Sequence, residues 1–389
     1  MGLASTTVRS TTTRRNFLRI AGLAPLGFGI LRKVRPVNMK SQTLYVGTYT
    51  DGDSEGIYRC SMNADSGALE VLGTTGDIAN PSFLAIDPNG LFLYSASETG
   101  DFEGKTGGGV YAYSIDPDSR ELHFLNARSS EGGSPCYVTV SPQGREVLVA
   151  NYSGGNIALL PTQPDGSLDP ASDVEQHEGS SVNEQRQKGP HAHCIVTDSA
   201  GNYAFSADLG IDRVLIYRLQ DNVLIPTGHV PVAPGAGPRH FTFNPDGDRA
   251  YVINELNSTV TAFKYEDGVL EETQTIGTLP DGFDGDNFPA DIHVSSDGRF
   301  VYGSNRGHDS IVVFGIDPDS GLLSSVQHEG TGGEWPRNFA LDPTGRFLLV
   351  ANQRTSNIVV FSRDSESGRL TPTGQTLEIP SPVCVRFLV

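Results

Sequence analysis

The chain has 389 residues, with 46 acidic and 28 basic side chains, a formal net charge of −18, 45 glycines, 24 prolines and four cysteines. That length exceeds one ordinary α/β domain, and the many glycines and prolines point to short elements joined by turns. No apolar run of 18 residues occurs, which excludes a helical membrane span; scattered cysteines without a Cys-x-x-Cys pair exclude a disulfide scaffold and give no zinc-site spacing.

Residues 1–40 carry eight bases (Arg9, Arg14, Arg15, Arg19, Arg32, Lys33, Arg35 and Lys40) and no acid, so residues 41–389 hold 46 acids against 20 bases, a net charge of −26. A body this acidic repels nucleic-acid phosphates and anionic lipid, and no nucleic-acid partner is expected. The run Arg14-Arg15-Asn16-Phe17-Leu18-Arg19 resembles the twin-arginine export motif, and the twelve-residue apolar stretch Ile20–Leu31 after it suits a signal segment. Residues 1–40 are therefore expected to be a leader and linker, and the body to be exported to the periplasm or beyond. A cytoplasmic location is the alternative if the segment is only a basic tail.

The body opens with three alternating segments, Thr-Leu-Tyr-Val-Gly-Thr-Tyr, Gly-Ile-Tyr-Arg-Cys-Ser-Met and Ala-Leu-Glu-Val-Leu-Gly. Six self-similar units follow, aligned on Asp/Ser-Pro-x-Gly-like turns whose glycines are Gly90, Gly144, Gly201, Gly247, Gly298 and Gly345. Each turn joins two strands, a third alternating strand follows, and most units reach a further turn and a fourth. Four strands with a period of about 50 residues mark a β-propeller blade. The C-terminal Pro-Val-Cys-Val-Arg-Phe-Leu reads as the first strand missing from the opening unit. The predicted fold is all-β: a seven-bladed β-propeller over residues 41–389, four antiparallel strands per blade, its ring closed when the C-terminal strand joins the N-terminal blade.

A repeat separates what serves the blade from what is free for function. Seven residues past each turn glycine stand Ser97, Asn151, Asp208, Asn254, Asn305 and Asn352. This recurrence predicts a structural role, holding the backbone of the following turn. Eight past stand Glu98, Tyr152, Leu209, Glu255, Arg306 and Gln353; eight before stand Ser82, Cys136, His193, Arg239, Ala290 and Arg337. The start of a first strand lies beside the end of its antiparallel second, so both variable sets meet at one channel mouth. His191, His240, Asp291 and His293 are close in sequence. Several arginines on one rim of an acidic body point to an anion site, since the guanidinium fork fits carboxylate and phosphate. Inter-blade salt bridging is the competing reading.

These residues resemble the lactonase family of seven-bladed propellers, which includes propeller-type 6-phosphogluconolactonases and a fungal carboxymuconate-lactonising enzyme. The likeness rests on Gly189-Pro190-His191-Ala192-His193, Gly237-Pro238-Arg239-His240, Asn254-Glu255-Leu256-Asn257, Ala290-Asp291-Ile292-His293, Asn305-Arg306 and Trp335-Pro336-Arg337-Asn338, and spans about residues 42–389. It implies a lactone substrate bearing an acid group. It also implies roles for a histidine, two arginines and a glutamate at positions matching His193 (or His191), Arg239, Arg306 and Glu255.

The expected activity is hydrolysis of a sugar lactone, 6-phosphogluconolactonase-like, without cofactor or metal. His193 or Glu255 would act as base on a water, while Arg239 and Arg306 hold the acid group and the developing oxyanion. Further expected substrate contacts are His191, His240, Asn151, Tyr152, Asn254, Asp291, Arg337 and Gln353. The alternatives are a non-catalytic carbohydrate- or protein-binding propeller, a muconate-type cycloisomerase, and a metal-dependent lactonase using Glu98, Glu255 or the asparagine ring. An export leader favours a sugar lactone other than the phosphorylated one. The insertion at residues 165–188 would form a rim or lid beside His191, and Cys136 and Cys194 are expected to be free, buried thiols. Whether the protein is a monomer or a dimer is left open.

Overall fold

The structure, a computed structural model, describes residues 41–389 together with Gly2; the leader and its export motif lie outside the described residues. Residues 41–389 form one compact unit. It contains seven four-stranded antiparallel sheets, and no helix among the described residues. Blade 1 is built from Ser41–Thr48, Ile57–Asn63 and Leu69–Thr75, with Pro382–Phe387 as its innermost strand. The terminal strand pairs antiparallel with the first, Leu44 opposite Phe387 and Gly47 opposite Cys384. Blades 2 to 7 follow at residues 83–129, 135–176, 192–231, 238–277, 288–330 and 336–378. The expected ring closure by the C-terminal strand is thus observed.

The repeat motif has a backbone cause. The six turn glycines all lie at φ between +67° and +70°. A side chain there would meet the left-handed penalty, so glycine recurs in every unit. A second recurring device locks neighbouring blades. Tyr45 donates to the Arg120 carbonyl at 2.7 Å, Tyr94 to Gly166 at 3.0 Å and Tyr302 to Gly368 at 2.8 Å, each reaching from a second strand to the outer hairpin of the next blade. Gly368 approaches the Phe300 ring so closely that a Cβ would sit 2.3 Å from it. Apolar side chains fill the spaces between sheets: Phe205, Phe241, Val252 and Phe263 pack blade 4 on blade 5. Cys60, Cys136, Cys194 and Cys384 are all buried and free.

The residues seven past each glycine do hold backbone, but mostly not where the sequence placed it. Asn151 donates to the Ser130 carbonyl at 2.8 Å, Asn305 to Thr278 at 2.9 Å and Asn352 to Thr331 at 3.1 Å. Each acceptor lies on the crossing from the previous blade, not on the following turn. Blade 4 reverses the polarity: Asp208 accepts from His177 Nδ1 at 2.6 Å, and His177 lies on that same kind of crossing. An acceptor side chain needs a donor partner, and the imidazole supplies it. In blade 5, Asn254 bonds Thr259 and Thr261 instead.

Candidate active site

The first strand of most blades carries a β-bulge at its start. Cross-strand pairing skips Cys136, His193, Arg239 and Arg337 in blades 3, 4, 5 and 7, and skips both Ala290 and Asp291 in blade 6. A bulge releases a residue from the ladder and re-aims its side chain. Five of the six residues that stand eight before a turn glycine, all but Ser82, are these bulge residues, which is why they converge.

At the centre lies Glu255, at the end of the second strand of blade 5. Its Oε2 accepts from Arg239 Nε at 3.0 Å and from Arg306 Nη2 at 2.6 Å, and its Oε1 accepts from Arg186 Nη2 at 2.7 Å. Arg186 also donates to the Tyr152 hydroxyl at 3.1 Å. Burial pushes the Glu255 carboxyl up, but Arg306, Arg239 and Arg186 together outweigh it and hold the group at about 2. Glu255 is therefore a fixed anion whose two oxygens are engaged by three guanidinium groups. That removes it from the role of general base.

The arginines outnumber their partners. Arg186, Arg239, Arg306 and Arg337 face only Glu255 and Glu98, and the Arg337–Glu98 pair is long, at 4.0 Å. Arg337 otherwise stacks on Tyr49, 5.4 Å from its ring centre, and makes no hydrogen bond among the described residues. Arg239 Nη2 and Arg306 Nη1 also lack a partner there. Burial lowers the proton affinity of Arg239, with Arg337 adding to the fall; burial likewise lowers Arg306 against the pull of Glu255. Arginine still keeps its proton. The mouth thus holds an uncompensated excess of cationic donors.

His193 lies against this cluster. Its Nδ1 is 3.6 Å from Cys136 Sγ, and its Nε2 has no hydrogen-bond partner among the described residues. Burial first, then Arg239, His240 and Arg337, hold its pKa well below the usual range, so the ring is neutral. His191 stacks on Tyr152 at 4.5 Å and its Nδ1 donates to the Tyr152 carbonyl at 2.9 Å, whereas His193 is the histidine that feels the charges of Arg239 and Arg337.

His240 and Asp291 continue the hydrogen-bonded chain that starts at Arg239, and both line a cavity with Tyr137 and His293. Arg239 Nη1 is 3.0 Å from His240 Nε2, and His240 Nδ1 is 2.7 Å from Asp291 Oδ1. A guanidinium only donates, so Nε2 must accept and Nδ1 must carry the hydrogen that Asp291 receives. Asp291 also accepts from His293 at 2.9 Å, from Asn338 at 2.5 Å and from the Ile292 amide at 3.0 Å. Both residues are buried, as are Asn151 and Asn254, and Asn151 and Asn254 direct their hydrogen bonds to protein groups at the blade edge. Tyr152 and Gln353 stay half-buried on the rim, and the Gln353 amide oxygen is occluded without a donor. Tyr137 meets His240 edge-on at 5.2 Å and Phe83 at 4.0 Å, and it lines two cavities of about 330 and 290 Å³, the second also lined by His240, Asp291 and His293.

Among the described residues no group of three or more His, Cys, Asp or Glu side chains has the geometry to hold a metal ion. Glu98 bonds Tyr49 and pairs with Arg337, and Glu255 is ringed by arginines, so neither offers a free ligand set.

A family model described as lactonase, 7-bladed beta-propeller, matches residues 43–387. The chain belongs to the lactonase family of seven-bladed β-propellers. It is 44% identical over 346 residues to a 6-phosphogluconolactonase of Bacillus subtilis, covering 88% of this chain and 97% of that one. A 6-phosphogluconolactonase of Formosa agariphila is 35% identical over 299 residues, covering 75% and 84%. Among solved structures, a periplasmic gluconolactonase of Pseudomonas aeruginosa superposes with a TM-score of 0.85 at 38% identity, covering 90% of this chain and 99% of that chain.

Within this lactonase scaffold, sequence comparison of blades missed Arg186. It lies on the crossing from blade 3 to blade 4, outside every repeat position. The segment 165–188 is not one insertion, since Asp173–Gln176 forms the outer strand of blade 3. What remains is pinned by buried Asp212, which accepts from Ser181 and Gln187 on the crossing and from the Gly235 and Gly237 amides beside Arg239. One carboxylate thereby sets the loops that carry Arg186 and Arg239.

Proposed function

We propose that the protein hydrolyses a sugar lactone bearing an acid group, at the mouth formed by His193, Arg239, Glu255, Arg306 and Arg337. One observation carries this reading: four arginines share two carboxylates in a cluster beside a neutral histidine whose Nε2 has no partner among the described residues. The relatives named 6-phosphogluconolactonase, and the periplasmic gluconolactonase, support the substrate class.

His193 Nε2 takes a proton from a water as its oxygen bonds the ring carbonyl carbon. The carbonyl oxygen becomes an oxyanion held by the free N–H groups of Arg239 and Arg306. Collapse breaks the bond to the ring oxygen, which takes the proton back from His193 and leaves as the hydroxyl of the open acid. Glu255 keeps the guanidinium groups in place and limits their mutual repulsion. The substrate's anion then offsets the positive field around His193, raising its basicity when the site is filled.

The leader-like segment 1–40 and the likeness to a periplasmic protein support export. A fusion of residues 1–40 to a reporter, tested for transport, decides this. For the activity, a panel of sugar lactones is measured for ring opening above the buffer rate. Acceleration lost about 10²–10³-fold in Arg239→Ala and Arg306→Ala is expected. No acceleration on any lactone would instead favour a non-catalytic binding propeller.

A further inference from the structure

In five blades the residue before the proline at the start of the first strand has a left-handed backbone: Asn80 (φ 47°), Ser134 (53°), Gly237 (65°), Trp335 (64°) and Ser381 (44°). Five blades share this conformation while Gly189 before Pro190 and Phe288 before Pro289 do not adopt it, and four of the five meet it with small residues. Asparagine and glycine tolerate it readily, whereas a bulky side chain there is an outlier. Trp335 is the exception, and it is also the one tryptophan of the chain. Strain of this kind persists where the side chain serves a purpose.

The indole joins two guanidinium groups. Arg354 lies 3.6 Å from its ring centre and Arg306 5.2 Å, which puts the two cationic carbons within about 9 Å of each other. The backbone fixes the arrangement: Asp309 accepts from the Trp335 amide at 2.8 Å, and the Arg354 amide donates to the Glu334 carbonyl at 3.2 Å. Arg354 is exposed and has no carboxylate within ion-pair reach among the described residues. A flexible arginine held over an indole is preorganised at small entropic cost.

We infer that Arg354, held by Trp335, is the outer arm of an anion clamp that binds the distal acid group of the lactone while Arg239 and Arg306 serve the carbonyl end. This rests on the lactonase reading of the mouth. In a hexose 1,5-lactone C6 is borne by C5, the carbon on the other side of the ring oxygen from the carbonyl, so a 6-phosphate lies a few ångströms from the carbonyl group, within the upper bound on the Arg306–Arg354 separation. Arg354 is then a specificity residue, distinguishing a lactone with a 6-phosphate from one with a 6-hydroxyl.

The test compares 6-phosphoglucono-1,5-lactone with glucono-1,5-lactone in wild type, Arg354→Ala, Trp335→Asn and Trp335→Phe. Arg354→Ala should raise KM for the phosphorylated lactone about 10-fold, with kcat and the unphosphorylated substrate little changed, and Trp335→Asn should lower the preference for the phosphorylated lactone by a similar factor. Trp335→Phe, which keeps an aromatic platform, should retain most of the preference. Unchanged KM ratios in Arg354→Ala, in an enzyme active on both lactones, overturn the inference but leave the lactonase reading intact. Fluorescence of the lone tryptophan supplies a readout independent of turnover, with 6-phosphogluconate, gluconate and inorganic phosphate as titrants. A response to 6-phosphogluconate at lower concentration than to gluconate, weakened in Arg354→Ala, supports the clamp even if no lactone is hydrolysed. A response to inorganic phosphate as strong as to 6-phosphogluconate identifies a general anion site and overturns the sugar-acid assignment. Absence of any response overturns the clamp.

Discussion

Arg186 and Glu255 meet at 2.7 Å across 69 residues of sequence, the first on a crossing between blades and the second on the rim of blade 5. The contact gives Glu255 its third guanidinium partner and leaves the arginine about one-third exposed. Arg186→Ala should therefore lower kcat/KM about 10-fold while changing the unfolding temperature little, because Arg186 is partly exposed and buried Glu255 keeps Arg239 and Arg306 as partners. Steady-state kinetics alongside thermal unfolding checks both halves.

Glu255→Gln should behave differently. It leaves Arg239 and Arg306 buried without their counter-ion, and breaking such a pair costs about 3–5 kcal/mol. Both stability and activity should fall. The acid limb should change too. Glu255 is held at about 2, below its unfolded value, so its stabilising contribution is present above about pH 4.5 and is lost as the pH falls toward 2. Urea unfolding of the variant should be less pH-dependent in that window than wild type.

The buried histidines add a second pH dependence. Burial, then Arg239, lowers His240 to about 3, and His193 is held well below its usual value. Above about pH 6.5 both are neutral folded or unfolded, so they contribute no pH dependence. Below it the unfolded chain takes up their protons and the folded chain does not, so stability falls as the pH drops from 6.5. Unfolding free energies equal at pH 7 and pH 5 would contradict this.

Asp291 should act through His240 on Arg239. Asp291→Asn preserves size but weakens the acceptor that fixes the His240 tautomer. We expect kcat to fall about 10–100-fold, the range for outer-shell orienting groups, with KM changed much less. Nitrogen-15 NMR of labelled histidine should show His240 as the Nδ1–H tautomer in wild type and a mixture in the variant. A wild-type kcat with an altered tautomer would remove Asp291 from the catalytic arrangement.

Asp212→Ala tests whether one carboxylate sets both arginine loops. It would strip an acceptor from Ser181, Gln187 and two backbone amides, and buried donors left unpaired are each destabilising by about 1–3 kcal/mol. The variant should unfold at a lower temperature and lose activity even where it remains folded. Proteolysis of native protein should then cut first within residues 178–188.

Much of this molecule was legible in one dimension. Left-handed turns demand glycine and strands alternate, so the period of about 50 residues, the seven blades and the closing strand could be read before any coordinates. Comparing blades also isolated His193, Arg239, Glu255, Arg306 and Arg337, because positions that vary within a repeat are released from serving it. The tertiary structure decided what each group does. Bulges, which depend on cross-strand pairing, aimed those side chains inward; three guanidinium groups around Glu255 made it an anchor and not a base. His240 and Asp291 became partners of Arg239 because strands of neighbouring blades bring them within hydrogen-bond reach. Arg186 and Arg354 lie at no position the repeat singles out, and their places depend on long-range contacts with Glu255, Tyr152 and Trp335. Sequence thus determined the scaffold through local backbone chemistry, while burial and charge pairing across blades, which have no local signal, assigned the roles.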